Sequence, residues 1–168
     1  MRILVLGLGI SGKSAVDTLL KLGHTVSVYD DFINSEADVP DNYKNRNINY
    51  IFNFEDILSK QYDYVMKSPG IKPTNGAVSL IKQANYRIIS DIELGYMLKG
   101  KSKLLAVTGT NGKTTTTTLI NEILNKCGKT SSAIGNIGVG AISDFVFSED
   151  EYLVIECSSF QLDDIYTF

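Results

Sequence analysis

The segment Val107-Thr108-Gly109-Thr110-Asn111-Gly112-Lys113-Thr114 has the residue types of a phosphate-binding loop. Backbone N–H groups of a glycine-rich turn converge on phosphate oxygens, a lysine reaches the outer phosphates as a point charge, and the next hydroxyl ligates a divalent cation. Lys113 and Thr114 would hold the last two roles, with Gly109, Thr110, Asn111, Gly112 and Thr115 around the phosphates. The ligands this chemistry implies are a nucleoside triphosphate and Mg²⁺. The pattern departs from G-x-x-x-x-G-K-[ST], because Val107 stands where the first glycine belongs. The shorter G-x-x-G-K-[ST] arises by chance in roughly one per cent of chains this long at ordinary composition, so its setting decides. Residues 103–108 read as a buried strand, and Leu119, Ile120, Ile123, Leu124 and Cys127 recur behind the loop at helical spacing, predicting a helix with those residues inside.

Glu156 ends the apolar run Tyr152-Leu153-Val154-Ile155. A carboxylate there costs free energy unless it is compensated, by an ordinary salt bridge or by a metal ion beside a triphosphate. Thr114 and Glu156 are the candidate metal ligands, and Lys113 and Glu156 the candidate catalytic residues.

A second glycine turn, Gly7-Leu8-Gly9-Ile10-Ser11-Gly12, matches G-x-G-x-x-G between a strand and a helix, with Asp30 at the end of the following strand. Taken alone it points to NAD. Three glycines at this spacing turn up in roughly 6% of chains this long, so the turn argues for a phosphate or diphosphate ligand without fixing its identity. Ser68-Pro69-Gly70-Ile71 follows a later strand and is either a plain loop or part of the same edge. Asn136, in Gly135-Asn136-Ile137-Gly138, is either a turn residue or a donor and acceptor for a ligand. His24 follows Gly23 as a solvated turn residue, which leaves a histidine-based triad unsupported. Cys127 and Cys157 have no metal-ligand spacing and read as reduced core thiols.

The elements that must position these groups alternate. Strands are predicted over 2–6, 25–29, 48–52, 63–66 and 87–89, with helices over 14–22, 55–59 and 77–84, the pattern of an α/β, Rossmann-like, doubly wound parallel sheet with ligands at its carboxyl edge. Ser90-Asp91-Ile92-Glu93 reads as a capping box opening a helix to 98, with Glu93 reaching back to the cap. Residues 99–102 break the pattern, which places a domain boundary between 98 and 99. Residues 1–98 then form one domain and 99–168 the first part of a P-loop ATPase domain, whose further strands are found only over 130–134 and 152–157. The 168 residues are 43% hydrophobic with a net charge of −3 and interspersed signs, which gives no footprint for nucleic acid. Apolar runs fall far short of the roughly 20 residues that span a bilayer, and the start reads as a strand, so a cytoplasmic protein is expected.

Read together, these motifs resemble the Mur ligases of bacterial cell-wall synthesis. The ATP loop of that family also lacks the first glycine, and Ser90-Asp91-Ile92-Glu93-Leu94, Gly135-Asn136-Ile137-Gly138 and Glu156-Cys157-Ser158-Ser159-Phe160-Gln161-Leu162 are similar to segments of its D-glutamate-adding branch. The resemblance implies that the first domain binds UDP, not NAD. Gly9, Ile10, Ser11 and Gly12 would approach the diphosphate and Asp30 and Asp31 the uridine, with Ser68 and Gly70 lining the same cleft. Phe32 stands where a basic residue beside the uridine is expected. Asn136, Ser158, Ser159 and Gln161 would face the substrate. The implied reaction joins D-glutamate to UDP-N-acetylmuramoyl-L-alanine at the expense of ATP, through an acyl phosphate, in a monomer with no nucleic-acid or membrane partner. The family's later histidine ligand, carbamylated lysine and C-terminal domain cannot be assigned, so the chain is expected to be a fragment or a truncated product and inactive alone. Two other readings stand beside this one: an NAD-dependent oxidoreductase, which leaves 109–114 unexplained, and a non-catalytic nucleotide-binding fragment.

Overall fold

A computed structural model describes residues 1–135 and 142–168. The chain divides into two compact units, Met1–Ile89 and Ser90–Phe168. In the first, β1 (Arg2–Leu6), β2 (Thr25–Tyr29), β3 (Ile48–Ile51), β4 (Tyr64–Lys67) and β5 (Ile88–Ile89) form a parallel sheet in the order β3-β2-β1-β4-β5. Continuous apolar runs suit such strands because both faces are covered; Ile3, Leu4, Val5 and Leu6 of β1 are fully buried. Helices α1 (Ile10–Lys21) and α2 (Gly76–Gln83) contribute Val16, Leu19, Val78 and Ile81 to the buried core. The stretch predicted as a helix over 55–59 is a 3-10 helix, Phe54–Ser59. Helix α1 starts earlier than the predicted 14, so the glycine turn runs straight into it. It ends where Gly23 adopts φ +74° and its N–H and that of His24 return to the carbonyls of Leu20 and Leu19. The strand order reverses between β1 and β4, where open parallel sheets gather ligands.

The second unit holds α3 (Asp91–Leu98), β6 (Lys103–Val107), α4 (Lys113–Lys126), β7 (Ser131–Gly135), α5 (Ile142–Phe147), β8 (Tyr152–Glu156) and α6 (Ser159–Leu162), with a three-stranded parallel sheet in the order β6-β8-β7. Central β8 is buried from Leu153 to Glu156, whereas edge strand β6 leaves Leu105 exposed. Two expectations change here. On α4, Leu119, Ile123 and Cys127 are exposed, and the inward stripe is Thr117 with half-buried Ile120 and Leu124. The phase is set at the helix start: once Thr114 is turned toward β8, a 3.6-residue period carries 117, 120 or 121, and 124 onto the sheet. Cys127 is therefore a surface thiol and not a core one, while Cys157 is buried as expected.

The division between the units lies at Ile89 and Ser90, where the sequence pattern suggested 98 and 99. Helix α3 packs into the second unit: a side chain on Gly95 would strike the ring of Phe145, and the Ser90 N–H donates to the Asp164 carbonyl at 2.9 Å. Only half of the capping box forms. Ser90 Oγ accepts from the Glu93 N–H at 3.2 Å, but the Glu93 carboxylate accepts instead from the N–H groups of Tyr166, Thr167 and Phe168 and from Thr167 Oγ1, at 2.6 to 3.2 Å. Four donors around a buried carboxylate outweigh the single N–H of the cap. Among the described residues no helix is long and apolar enough to cross a membrane.

Burial works to raise the Glu93 pKa, yet the hydrogen bonds from Thr167 Oγ1 and the three backbone N–H groups prevail and hold it below the ordinary carboxylate value. A depressed folded-state pKa stabilises above the unfolded carboxylate range, and that stabilisation is lost as pH falls through the folded pKa. Glu93→Gln is expected to cost about 2 kcal/mol at pH 7, the scale of hydrogen bonds to a charged group. Urea unfolding at pH 7 and pH 3 should show the gap between wild type and variant closing in acid; a gap independent of pH would refute the clamp.

Candidate functional site

In the first unit the turn after β1 is built against its neighbours. The Gly7 N–H donates to the Tyr29 carbonyl at 2.8 Å, with Gly7 at φ +85°. Gly12 lies so close beneath that a Cβ would sit 1.8 Å from the Gly7 carbonyl oxygen, and buried Ser68 donates its hydroxyl to that same oxygen at 3.0 Å. Gly12 and Ser68 thus shape the turn. The first turn of α1 has Gly9 as its cap and no side-chain hydrogen bond, leaving N–H groups for an anion. Gly9 and Ile10 are exposed there and Ser11 is half-buried.

The two acids after β2 do different things. Asp30 accepts from the Leu8 N–H at 2.6 Å and the Phe32 N–H at 2.9 Å, bracing one loop against the other. Asp31 accepts from Tyr29 Oη at 2.8 Å and from Asn75 Nδ2 at 2.7 Å. Burial, the hydrogen bond to Asp31 and the charges of Asp31 and Asp30 push the Tyr29 pKa up to about 12, which keeps its hydroxyl a donor. Both acids line a cavity of about 320 Å³ that Gly7, Phe32, Gly70, Ile71, Lys72, Thr74 and Asn75 also border. Asp30, Asp31 and Gly70 are brought together as expected. Lys72, Thr74 and Asn75 were not singled out from the sequence; in the structure Asn75 also caps α2, accepting from the Ala77 N–H at 2.8 Å.

In the second unit the sheet register sets Val107, Glu156 and Gly135 side by side at the carboxyl edge. Gly112 caps α4 at φ +77° with no side-chain hydrogen bond, so this helix start also offers N–H groups to an anion. Lys113 folds back over the loop, its Nζ donating to the Gly109 carbonyl at 2.8 Å. Thr114 Oγ1 donates to Glu156 Oε2 at 2.7 Å, across 42 residues of sequence. Glu156 is only 3% exposed. Hydroxyl and carboxylate meet beside the glycine turn, a donor set that fits Mg²⁺, which takes one or two protein oxygens and completes its shell with phosphate oxygens and water. No group of three or more His, Cys, Asp or Glu side chains that could hold an ion occurs among the described residues.

The loop after Glu156 is rigidly built. Ser158 and Gln161 form a complete capping box, with Gln161 Oε1 accepting from the Ser158 N–H at 2.9 Å, and Gln161 Nε2 donates to Asp91 Oδ1 at 3.0 Å. Gln161 is buried, so its amide holds the loop, while Ser159 is exposed on α6. Burial, followed by the charges of Asp91 and Glu156, pushes the Cys157 thiol up to about 11, which makes it an inert structural group. Asn136 lies outside the described residues.

Comparison with known proteins follows this geometry. Residues 1–90 match the family model for the Mur ligase MurD-like N-terminal domain, and residues 107–167 that for the Mur ligase middle domain. The UDP-N-acetylmuramoylalanine–D-glutamate ligase of Streptococcus mutans serotype c is 37% identical over 165 residues, covering 96% of this chain and 36% of that protein. Its counterpart in Lachnoclostridium phytofermentans is 39% identical over 173 residues, covering 99% of the chain and 37% of the relative. The chain therefore spans a little over a third of the length of these relatives. Among solved structures, UDP-N-acetylmuramate:L-alanyl-gamma-D-glutamyl-meso-diaminopimelate ligase from Neisseria meningitides superposes with a TM-score of 0.55 at 20% identity, over 95% of this chain and 54% of that one. A murein peptide ligase from Psychrobacter arcticus gives 0.54 at 22% identity, over 95% of this chain and 39% of its own. At these identities the structural likeness speaks for the fold.

The packing around Gly7 generates a direct test. Gly12→Ala must push α1 off backbone that cannot yield, so a loss of about 3 kcal/mol, the upper part of the range for overpacking, is expected in urea unfolding. An unchanged midpoint would contradict the close approach.

Proposed function

The chain belongs to the Mur ligase family, and from that premise we propose that it supplies the UDP-substrate site and the ATP site of a ligase that joins D-glutamate to UDP-N-acetylmuramoyl-L-alanine in peptidoglycan synthesis. The contact between Thr114 and Glu156 beside Lys113 carries the reading, because a hydroxyl, a buried carboxylate and an ammonium at one glycine turn suit a metal-bound triphosphate and little else. The relatives at 37% and 39% identity supply the amino acid and the acceptor. ATP with Mg²⁺ is the proposed cofactor pair, the substrates are small soluble molecules, and the site of action is the cytoplasm.

The alanyl carboxylate attacks the γ-phosphate, the bond to the β-phosphate oxygen breaks, and ADP leaves. The acyl phosphate then meets the D-glutamate amine, and inorganic phosphate departs as the amide forms. Lys113, released from the Gly109 carbonyl, neutralises charge on the outer phosphates, and the open N–H groups at the start of α4 hold the phosphate oxygens. Thr114 and Glu156 would hold Mg²⁺, which supplies positive charge against the transferring oxygens. Ser158 and Gln161 fix the loop that would present Ser159 to the substrate, and the first unit would anchor the UDP moiety, so that its binding energy serves positioning. Asn136 is proposed to contact the substrate on sequence grounds alone.

Calorimetry tests both halves. Lys113→Ala is expected to weaken Mg²⁺-ATP binding at least about tenfold, the value of a charged hydrogen bond, and to leave UDP-N-acetylmuramoyl-L-alanine binding untouched. Equal ATP affinity in wild type and variant would remove the loop assignment. Thermal stabilisation by NADH but not by the UDP substrate would turn the first site back into a dinucleotide site.

A further inference from the structure

A second cavity of the first unit, of about 320 Å³, shares no residue with the first and lies at the amino end of β3, away from the carboxyl edge where the glycine turn stands. Its volume is near the lower end of what small-molecule sites occupy, so it suits a metabolite of amino-acid size. The walls divide by chemistry. Val39, buried, and half-buried Ile48 and Tyr50 form an apolar side, Lys44 and Arg46 supply two cations, and Glu36 supplies one acid.

The cations are held in place without being used up. Arg46 Nη1 donates to Asp17 Oδ1 at 2.5 Å, its guanidinium lies 4.8 Å from the centre of the Tyr43 ring, and Tyr43 Oη donates to the same carboxylate at 3.1 Å. A guanidinium carries five N–H donors and an ammonium three. Donors therefore remain on Arg46, and on Lys44, whose Nζ donates to the solvent-exposed Asp41 at 2.8 Å. Asn45 between them has φ +63°, a reversal that asparagine tolerates better than most residues and that leaves both neighbours bordering one cavity. Glu36 differs, because its carboxylate has no hydrogen bond or ion pair among the described residues. The 3-10 turn that bears it, Glu36–Asp38, is nonetheless tied down, with Ser35 Oγ and the Asn34 N–H donating to Asp38 Oδ2 at 2.9 and 3.1 Å.

We propose that this cavity binds a free amino acid with an apolar side chain. The carboxylate of the ligand takes the remaining donors of Arg46 and Lys44, its ammonium meets Glu36, and its side chain packs on Val39, Ile48 and Tyr50. Only a zwitterion completes all the walls at once. A plain anion would face the unpaired Glu36, and an uncharged apolar ligand would cover three charged groups without pairing them. The cavity shares no residue with either glycine turn, so its occupation neither requires nor excludes a nucleotide.

The test is NMR titration of the isotope-labelled 168-residue chain with leucine, with leucinamide, which lacks the carboxylate, and with 4-methylpentanoate, which lacks the ammonium. Leucine should move the amides of 36–39 and 44–50 and bind at least about tenfold more tightly than either analogue, the scale of a hydrogen bond to a charged group. Glu36 is exposed, so Glu36→Gln tests binding without testing folding. That variant should lose leucine affinity by a similar factor and keep that for 4-methylpentanoate, and saturating UDP should leave leucine bound. Leucinamide bound as well as leucine would overturn the carboxylate contact. Equal leucine affinity in wild type and Glu36→Gln would overturn the ammonium contact. Displacement of leucine by UDP, or no saturable leucine binding, would overturn the site itself while leaving the nucleotide assignments standing.

Discussion

A carboxylate at the end of a buried strand has to be compensated, and much of the second unit follows from how Glu156 is. Parallel pairing with β6 and β7 sets its neighbours as Val107 and Gly135. Val107 leads into the glycine turn that starts α4, and a side chain on Gly135 would sit 2.3 Å from the Glu156 carbonyl oxygen. With the strands that close, Thr114 on the first turn of α4 reaches the carboxylate, and the phase of the whole helix is set from that point. Thr114 and Glu156 would together hold the proposed divalent cation. The arrangement is preorganised because the buried carboxylate that needs a partner is met by a hydroxyl on the first turn of the helix.

The first unit builds its glycine turn without a buried acid beside it. Its glycine turn is held by carbonyl and hydroxyl contacts from Tyr29 and Ser68, and Asp30 ties it to the loop after β2. Both units therefore present the uncapped start of a helix at the carboxyl edge of a parallel sheet. They differ in what surrounds it. Around the first lie an aromatic ring, an oriented acceptor and an amide, suited to a base; around the second lie a lysine, a hydroxyl and a carboxylate, suited to a triphosphate and its cation.

Features written in local spacing were legible in the sequence. The two glycine turns, the strands that flank them and the parallel α/β class come from patterns a few residues long, and Glu156 stood out because a charge ended an apolar run. Longer-range pairings were not legible. Nothing near Glu93 shows that its partners are the N–H groups of 166–168, so a capping box was the natural reading. Only the fold brings the amide of Asn75, the cap of α2, to Asp31, 44 residues away. Likewise Gln161 looks like a substrate ligand by resemblance, while its buried amide is bound to Ser158 and Asp91. The apolar residues of α4 suggested the wrong inner face because a three-stranded sheet with an open edge at β6 leaves Leu119 and Ile123 outside.

The central claim is that one chain carries two separate nucleotide sites, each at its own glycine turn. Backbone amide shifts in an isotope-labelled sample, followed by NMR during titration with Mg²⁺-ATP and then with UDP, test it most directly. Mg²⁺-ATP should move the amides of 109–115 and 156–158, and UDP those of 7–12, 30–33 and 70–75, with neither nucleotide disturbing the other set. Both nucleotides moving a single set, or ATP leaving 109–115 unmoved, would contradict the account.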